Sequence, residues 1–474
     1  MSEPPPQPAP SPLSSRLVSI AVASALLMEF IDSTALSTAL PTLSRAFAVD
    51  PIHLKLALTS YILALAVFTP ASGWAAERFG ARRVFLSAMT VFLLGSALCG
   101  LSRDLGGLVA ARIVQGLGGA MMTPVARLIA VGAAPRERLL QAMGWFTMPA
   151  LVGPLIGPPL AGLVLSVADW PWIFYINLPV GLLGMAAVLR FVPRSQPRRD
   201  LGRFDTAGFT LSALAISGLV GVAETSGVNL LPPWARIVAL TLSLACGIAY
   251  LRISRRNARP ILDLTLLRYP TFRASLLGGT LVRLGIGASP FLMPLLLQVA
   301  LGWSPLRASF VTLAGGVGVL VARPIASAFL RRFGFRTALA VFVSLTALFT
   351  TAPGFFRPGT PELLMMAILT LGGFCRSSQF IAANTIAYAD VPEASTAAAS
   401  TLAAVMQQVG LALGVSFGGV MLHVARGAGG VLTPDRFVLP FAAIGVVTLL
   451  ALPVYLALDK DAGAAISGRA RAEA

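Results

Sequence analysis

Apolar residues run through the chain in long stretches, each closed by a short cluster of Arg, Asp, Pro or Gly. A helix needs about 20 such residues to cross the hydrocarbon core of a bilayer. The stretches define fourteen spans, over 17–40, 54–76, 84–101, 107–132, 139–165, 171–192, 206–225, 233–252, 274–300, 305–330, 337–354, 361–388, 395–424 and 437–458. The pattern predicts an all-α polytopic membrane protein rather than a soluble domain with an anchor. Composition agrees. Of 474 residues 56% are hydrophobic and 12% charged, where a soluble chain is about a quarter charged.

The net charge of +17 raises the question of nucleic acid, and its distribution answers it. Loops and span ends on the side of the N-terminus carry 23 of the 36 Lys and Arg, and those on the other side carry 8. Such asymmetry follows the positive-inside rule, which places both termini in the cytoplasm. Topology therefore accounts for the excess, and no nucleic-acid partner is implied. The aromatic cluster "WPWIFYIN", at the far start of the sixth span, suits an interfacial belt. The opening "MSEPPPQPAPSPLSS" reads as a disordered tail and not as a cleaved signal peptide. Cys99, Cys246 and Cys375 lie far apart in apolar runs, with neither disulfide nor metal spacing.

The chain repeats itself. "GWAAERFGARR" after the second span returns as "SAFLRRFGFRT" after the tenth, with Gly80 on Gly334 and Arg82 on Arg336 at an offset of 254. Pro135, Gly153, Gly157 and Gly162 return as Pro392, Gly410, Gly414 and Gly419 at an offset of 257. Six spans thus recur as six spans in the same order and orientation. The expected organisation is a tail over 1–16, a six-helix bundle over 17–192, linkers and two inserted helices over 193–273, a second bundle over 274–458 and a tail over 459–474. Parallel six-helix repeats mark one large transporter architecture.

Four motifs narrow this further: "DSTALSTALPTL" in the first span, "GWAAERFGARR", "RIVQGLGGAM" in the fourth, and "GPLIGPPLAG" in the fifth with "WIFYINLPVG" after it. In this order and spacing the chain resembles the major facilitator superfamily, in its fourteen-span drug:proton antiporter branch. Within that branch it looks most like enterobacterial multidrug-resistance proteins. The resemblance covers nearly the whole chain. It implies a monomeric, proton-coupled exporter of small molecules in the bacterial inner membrane, with lipid around it and no cofactor.

Each motif also has a physical reading. Gly73 would let helices approach closely and Gly80 would permit a tight turn. Glu77, Arg78, Arg82 and Arg83 can form an ion-pair cluster, which in the family latches the outward-facing state. The repeat has Ser327 for Gly73 and Arg331 for Glu77, so it has lost that role. Gly153 and Gly157 lie one turn apart for close packing, and Pro154, Pro158 and Pro159 should bend the helix. The resemblance makes this segment, with Gly162, the antiporter signature that seals the cavity against leak. Ala161 departs from the glycine usual there.

No G-x-x-x-x-G-K-[ST] surrounds Lys55 or Lys460, and His53 and His423 make no H-E-x-x-H. No ATPase site, metalloprotease site or other enzyme chemistry is indicated. An ion gradient remains as the energy source, read by ionisable groups in spans. Glu29 and Asp32 sit within one turn of the first span, and the face they share should point into the cavity, since lipid would not tolerate it. At 1.5 Å per residue, Asp32 and Arg112 of the fourth span lie within about 5 Å of one depth and can pair. Asp32, Glu29 and Arg112 are the candidate coupling residues. Gln115 shares a face with Arg112, and Gly116 and Gly119 should line a close contact. Gln115, Arg283, Arg376, Gln379, Asn384 and Gln407 are cavity candidates, as is Met121 for a soft wall with Met28, Phe291 and Met293. Acids in the first half favour cationic or neutral lipophilic substrates. Arg283 and Arg376 favour anions such as citrate. A non-transporting membrane sensor is disfavoured by the retained acids and the lack of an appended soluble domain.

Overall fold

The structure is a computed structural model that describes residues 12–133, 139–194, 197–198, 202–226, 231–257, 260–427 and 430–464. The tail over 1–11, Pro135, Ser195, most of the 226–232 loop and the end from 465 lie outside the described residues. Among the described residues all regular structure is helical. The first six spans are α1 (Pro12–Ala46), α2 (Lys55–Phe68), α3 (Ala81–Leu101), α4 (Leu105–Gly132), α5 (Leu139–Val167) and α6 (Asn177–Phe191). The inserted pair is α7 (Thr206–Thr225) and α8 (Pro233–Ser254), followed by α9 (Pro270–Gly287).

A continuous helical assignment then covers Pro305–Thr351, 47 residues, about twice what a bilayer requires. Gly334 interrupts it at φ 77°, ψ 169°, a conformation that L side chains resist. It is therefore two spans, α10 (305–333) and α11 (335–351). Helices α12 (Glu362–Ile386), α13 (Thr396–Arg426) and α14 (Val438–Leu449) complete the set. Among the described residues 13 helices are long and apolar enough to cross a membrane, and division at Gly334 brings them to the fourteen expected. Gly80, the repeat partner of Gly334, also has positive φ, 91°. The tight turn expected there is present. Gly73 is different: a Cβ there would meet nothing within 4 Å, so it marks no close approach, because its side of the helix faces open space.

Three clusters of buried apolar residues matter for the site. One lies within 18–192 around Phe85, Met89 and Phe92. A second lies within 274–458 around Phe335, Phe342 and Tyr455. A third joins Leu36, Leu40 and Leu43 of α1 to Phe291, Leu292 and Leu296 beyond α9. It lies on the side of the molecule away from the start of α1, called here the far side, and the opposite side is the near side.

Glycines set the closest helix approaches. A Cβ on Gly153 would lie 2.5 Å from Phe30 Cβ, and one on Gly157 would strike Thr34, so α5 presses on α1. The repeat does the same: a Cβ on Gly410 would lie 3.3 Å from Thr280 O and one on Gly414 3.0 Å from Gly287 Cα, so α13 presses on α9. The last glycine of each set meets the other six spans instead. Gly162 faces Leu306 Cα at 2.9 Å, and Gly419 faces the Lys55 side chain at 2.6 Å.

Candidate coupling site and central cavity

Asp32 sits in the middle of α1 and is only 1% exposed. Its Oδ2 is 2.5 Å from Arg112 Nη1, the pairing expected from depth alone. Its Oδ1 accepts from Gln115 Nε2 at 2.8 Å and from Asn177 Nδ2 at 2.8 Å. Arg112 also donates to Gln115 Oε1 at 2.5 Å and to Ala57 O at 3.2 Å. Asn177 is held in turn by Ser96 Oγ at 2.9 Å. A buried carboxylate thus accepts from one cation and two amides. Charge-assisted bonds of this kind are about twice as strong as neutral ones, and such a network fixes the geometry of every member.

Glycines make room for the network. A Cβ on Gly95 would fall 2.5 Å from Gln115 Cα, and one on Gly116 2.8 Å from Tyr61 O. Helices α2, α3 and α4 therefore approach backbone to backbone around Arg112, as Gly116 and Gly119 suggested. Tyr61 stacks on Arg112, with the guanidinium carbon 4.3 Å from the ring centroid.

A cavity of about 580 Å³ lies beside this network, lined by both sets of six spans. Glu29 lines it, with Thr123 Oγ1 donating to its carboxylate at 2.8 Å. Tyr61 lines it too, so one tyrosine ring separates the cavity from Arg112. Asn384 and Gln407 lie on its opposite wall, while Thr69, Arg127 and Tyr388 mark its near-side end. The far side is drawn together. Ser37 donates to Pro290 O, Gln298 Nε2 donates to Thr38 O at 2.8 Å, and Arg426 Nη1 reaches Asp50 Oδ2 at 2.5 Å.

Several expectations need correction. Asp32 is absent from the cavity wall, so Glu29 and Asp32 do not present one shared acidic face to it. The turn between them lets one acid face the cavity and the other face α4 and α6. Gln115 is 0% exposed and belongs to the Asp32 network, not to the cavity. Met121 packs against the core of the first six spans. Arg283, Arg376, Gln379 and Gln407 do gather around an adjoining cavity of about 220 Å³, which shares Phe380, Gln407 and Leu411 with the central one and whose lining contains no acid. Pro154, Pro158 and Arg376 line a third of about 370 Å³. At the near-side loop, Glu77 faces Arg198 of the following linker at 3.9 Å, and its carbonyl accepts from Arg198 N at 2.9 Å. Arg82 donates to Leu189 O at 2.7 Å, and Arg78 and Arg83 are exposed. The loop is thus tied to the linker and to α6, because that linker crosses directly over it. Asn177, Tyr61 and Ser96 were not singled out by sequence. Asn177 was legible as the lone amide in the "WIFYINLPVG" segment.

A cavity lined by both helical repeats of a membrane-spanning chain is the arrangement of a transporter. Comparison places it further. The family model of the Major Facilitator Superfamily matches residues 22–266 and 275–473, and the chain belongs to that family. The chain is 34% identical over 435 residues to the "Putative multidrug resistance protein MdtD" of Pectobacterium carotovorum, covering 90% of this chain and 92% of that one. It is 33% identical over 460 residues to the protein of the same name in Escherichia coli, covering 94% and 95%. Among solved structures, an auto-inhibited POT family peptide transporter aligns with a TM-score of 0.70 at 17% identity, covering 93% of this chain and 96% of that one. A single-residue mutant of the nucleoside transporter NupG aligns with a TM-score of 0.67 at 13% identity, covering 93% and 99%. These two likenesses concern the fold.

Proposed function

We propose that the protein is a proton-coupled antiporter that exports drugs or other small amphipathic molecules across the bacterial inner membrane by alternating access. Its moving bodies would be residues 17–192 and 274–458, working as a monomer. Asp32 carries this reading: it is an ionisable group sealed from water and paired with Arg112, which one tyrosine ring separates from a cavity that holds a second acid. When Arg112 swings away, Asp32 can take a proton from the far side. When Arg112 returns, the proton leaves to the near side. Glu29, on the cavity wall, then acts on the substrate rather than sharing the proton with Asp32. A second reading, export of organic acids such as citrate, is favoured by Arg283 and Arg376 around a cavity lined without acid. Radiolabelled cations, neutral drugs and citrate, offered to proton-loaded proteoliposomes, test both. Uptake of cations that falls in Glu29→Gln supports the first. Uptake of citrate alone supports the second, and no gradient-driven uptake of any of them refutes both.

The Lys and Arg asymmetry supports a cytoplasmic position for both termini. In a cysteine-free background, Ser254→Cys should resist an impermeant maleimide from outside the cell and react in inside-out vesicles. Strong labelling from outside would invert the topology.

For the near-side loop, Glu77→Gln should leave melting temperature unchanged, since an exposed ion pair contributes at most about 1 kcal/mol. Turnover should nevertheless fall severalfold as the balance of states moves. Wild-type turnover in both Glu77→Gln and Arg78→Ala would leave the motif as a topology signal only.

A further inference from the structure

Lys55 stands at the far-side start of α2, where the sequence suggests a loop cation. The structure buries its side chain completely and brings it to 3.7 Å from the carboxylate of Glu224, which is 6% exposed. Glu224 lies in the last turn of the inserted helix α7. Ser416 of α13 donates its hydroxyl to the other oxygen of Glu224. Gly419, one turn further along α13, leaves the space that the Lys55 stem occupies. One buried site therefore draws on the first six spans, the inserted pair and the last six. Among the described residues Lys55 Nζ and Glu224 Oε2 find no hydrogen-bond partner, and neither residue lines a cavity described above.

Such a site is poorly suited to stability alone. A buried ion pair loses in desolvation much of what it gains in attraction, and well-packed apolar residues often serve as well or better. A charge pair differs from an apolar pair when the helices part. Separated charges recover their hydration if water enters, whereas separated apolar side chains do not. An ion pair at a three-way helix junction therefore makes opening less costly than a greasy contact would. The junction lies on the side where Asp50 holds Arg426 at the end of α13, the side that must open for the cavity to face outward.

We infer that Lys55, Glu224 and Ser416 form a far-side clasp that is closed while the cavity faces the near side and opens, with both charges hydrated, in the other half of the cycle. The inserted helix pair is then a working part of alternating access. Lys55 and Glu224 act as positioning residues. The inference rests on the alternating-access reading but on neither the identity of the substrate nor the coupling ion.

The test uses the purified full chain in proteoliposomes, with Cys99, Cys246 and Cys375 replaced and Ser37→Cys as a far-side reporter. Ser37, itself one of the residues of the far-side closure, is 7% exposed, and every variant is compared in the same Ser37→Cys background. The double variant Lys55→Met/Glu224→Leu should melt at or above the wild-type temperature, yet label at the reporter at least tenfold more slowly. The charge swap Lys55→Glu/Glu224→Lys should bring labelling back to within about twofold of wild type. Wild-type labelling in the apolar double variant would overturn the clasp. So would its failure to fold, which would make the pair structural, or a swap that labels no faster than the apolar pair. Labelling needs no substrate or proton gradient, so failure of the antiport reading would appear separately, as absent exchange in the wild-type protein.

Discussion

Asp32→Asn is expected to abolish proton exchange while leaving a folded, substrate-binding protein. The carboxylate accepts from Arg112, Gln115 and Asn177 at 2.5–2.8 Å. An amide keeps the size and one acceptor oxygen but cannot carry a proton on and off near neutral pH. Arg112 would keep Gln115 Oε1, Ala57 O and the Tyr61 ring as partners. The cost is therefore below the roughly 3–5 kcal/mol of a wholly orphaned buried charge, and the melting temperature should fall by a few degrees only. In proteoliposomes carrying a pH dye, substrate should shift lumenal pH with wild-type protein and leave it flat with Asp32→Asn. Exchange of labelled for unlabelled substrate, which needs no net proton movement, should persist at a comparable rate. A wild-type pH response in the variant would remove Asp32 as the proton carrier. Loss of both readouts with normal melting would make the network a structural brace for the helices.

The pairing of Asp32 with Arg112 was legible because charges within spans are few and the helical rise converts position into depth. Two charges at one depth in a low-dielectric region have strong reason to meet. The direction each side chain faces was less legible. Its spacing puts Gln115 on the face of Arg112, but which neighbour that face meets depends on helix packing. The same limit separated Asp32 from Glu29. Lys55 and Glu224 were missed for another reason. Both sit at span ends, where a loop charge and a buried one look alike in sequence, and α7 has no copy in the repeat against which its acid could stand out. The glycine pattern transferred better. At Gly153, Gly157, Gly410 and Gly414 a missing side chain does correspond to a close helix approach, although Gly73 shows that a motif glycine need not.

The glycines that join the two repeats carry the second large effect. Gly162→Ala places a methyl group 2.9 Å from Leu306 Cα and 3.1 Å from Pro305 O. These are backbone atoms at the start of α10 and cannot rotate aside, so α5 and α10 must separate. Helix propensity acts in the opposite sense, since alanine favours a helix over glycine by up to about 1 kcal/mol. Any loss of function therefore reports the contact. The far-side closure made by Ser37, Gln298 and Arg426 depends on the same approach of the first six spans to the last six. A bias of about 1.4 kcal/mol against closure changes the ratio of states tenfold. Gly162→Ala should accordingly raise maleimide labelling of Ser37→Cys about tenfold and let substrate leak down its gradient without a proton gradient. Gly144→Ala, on the same helix but with nothing within 4 Å of the added carbon, should behave as wild type in both assays. If Gly162→Ala matched Gly144→Ala, the α5–α10 contact would be ordinary packing, and the seal would have to lie elsewhere on the far side.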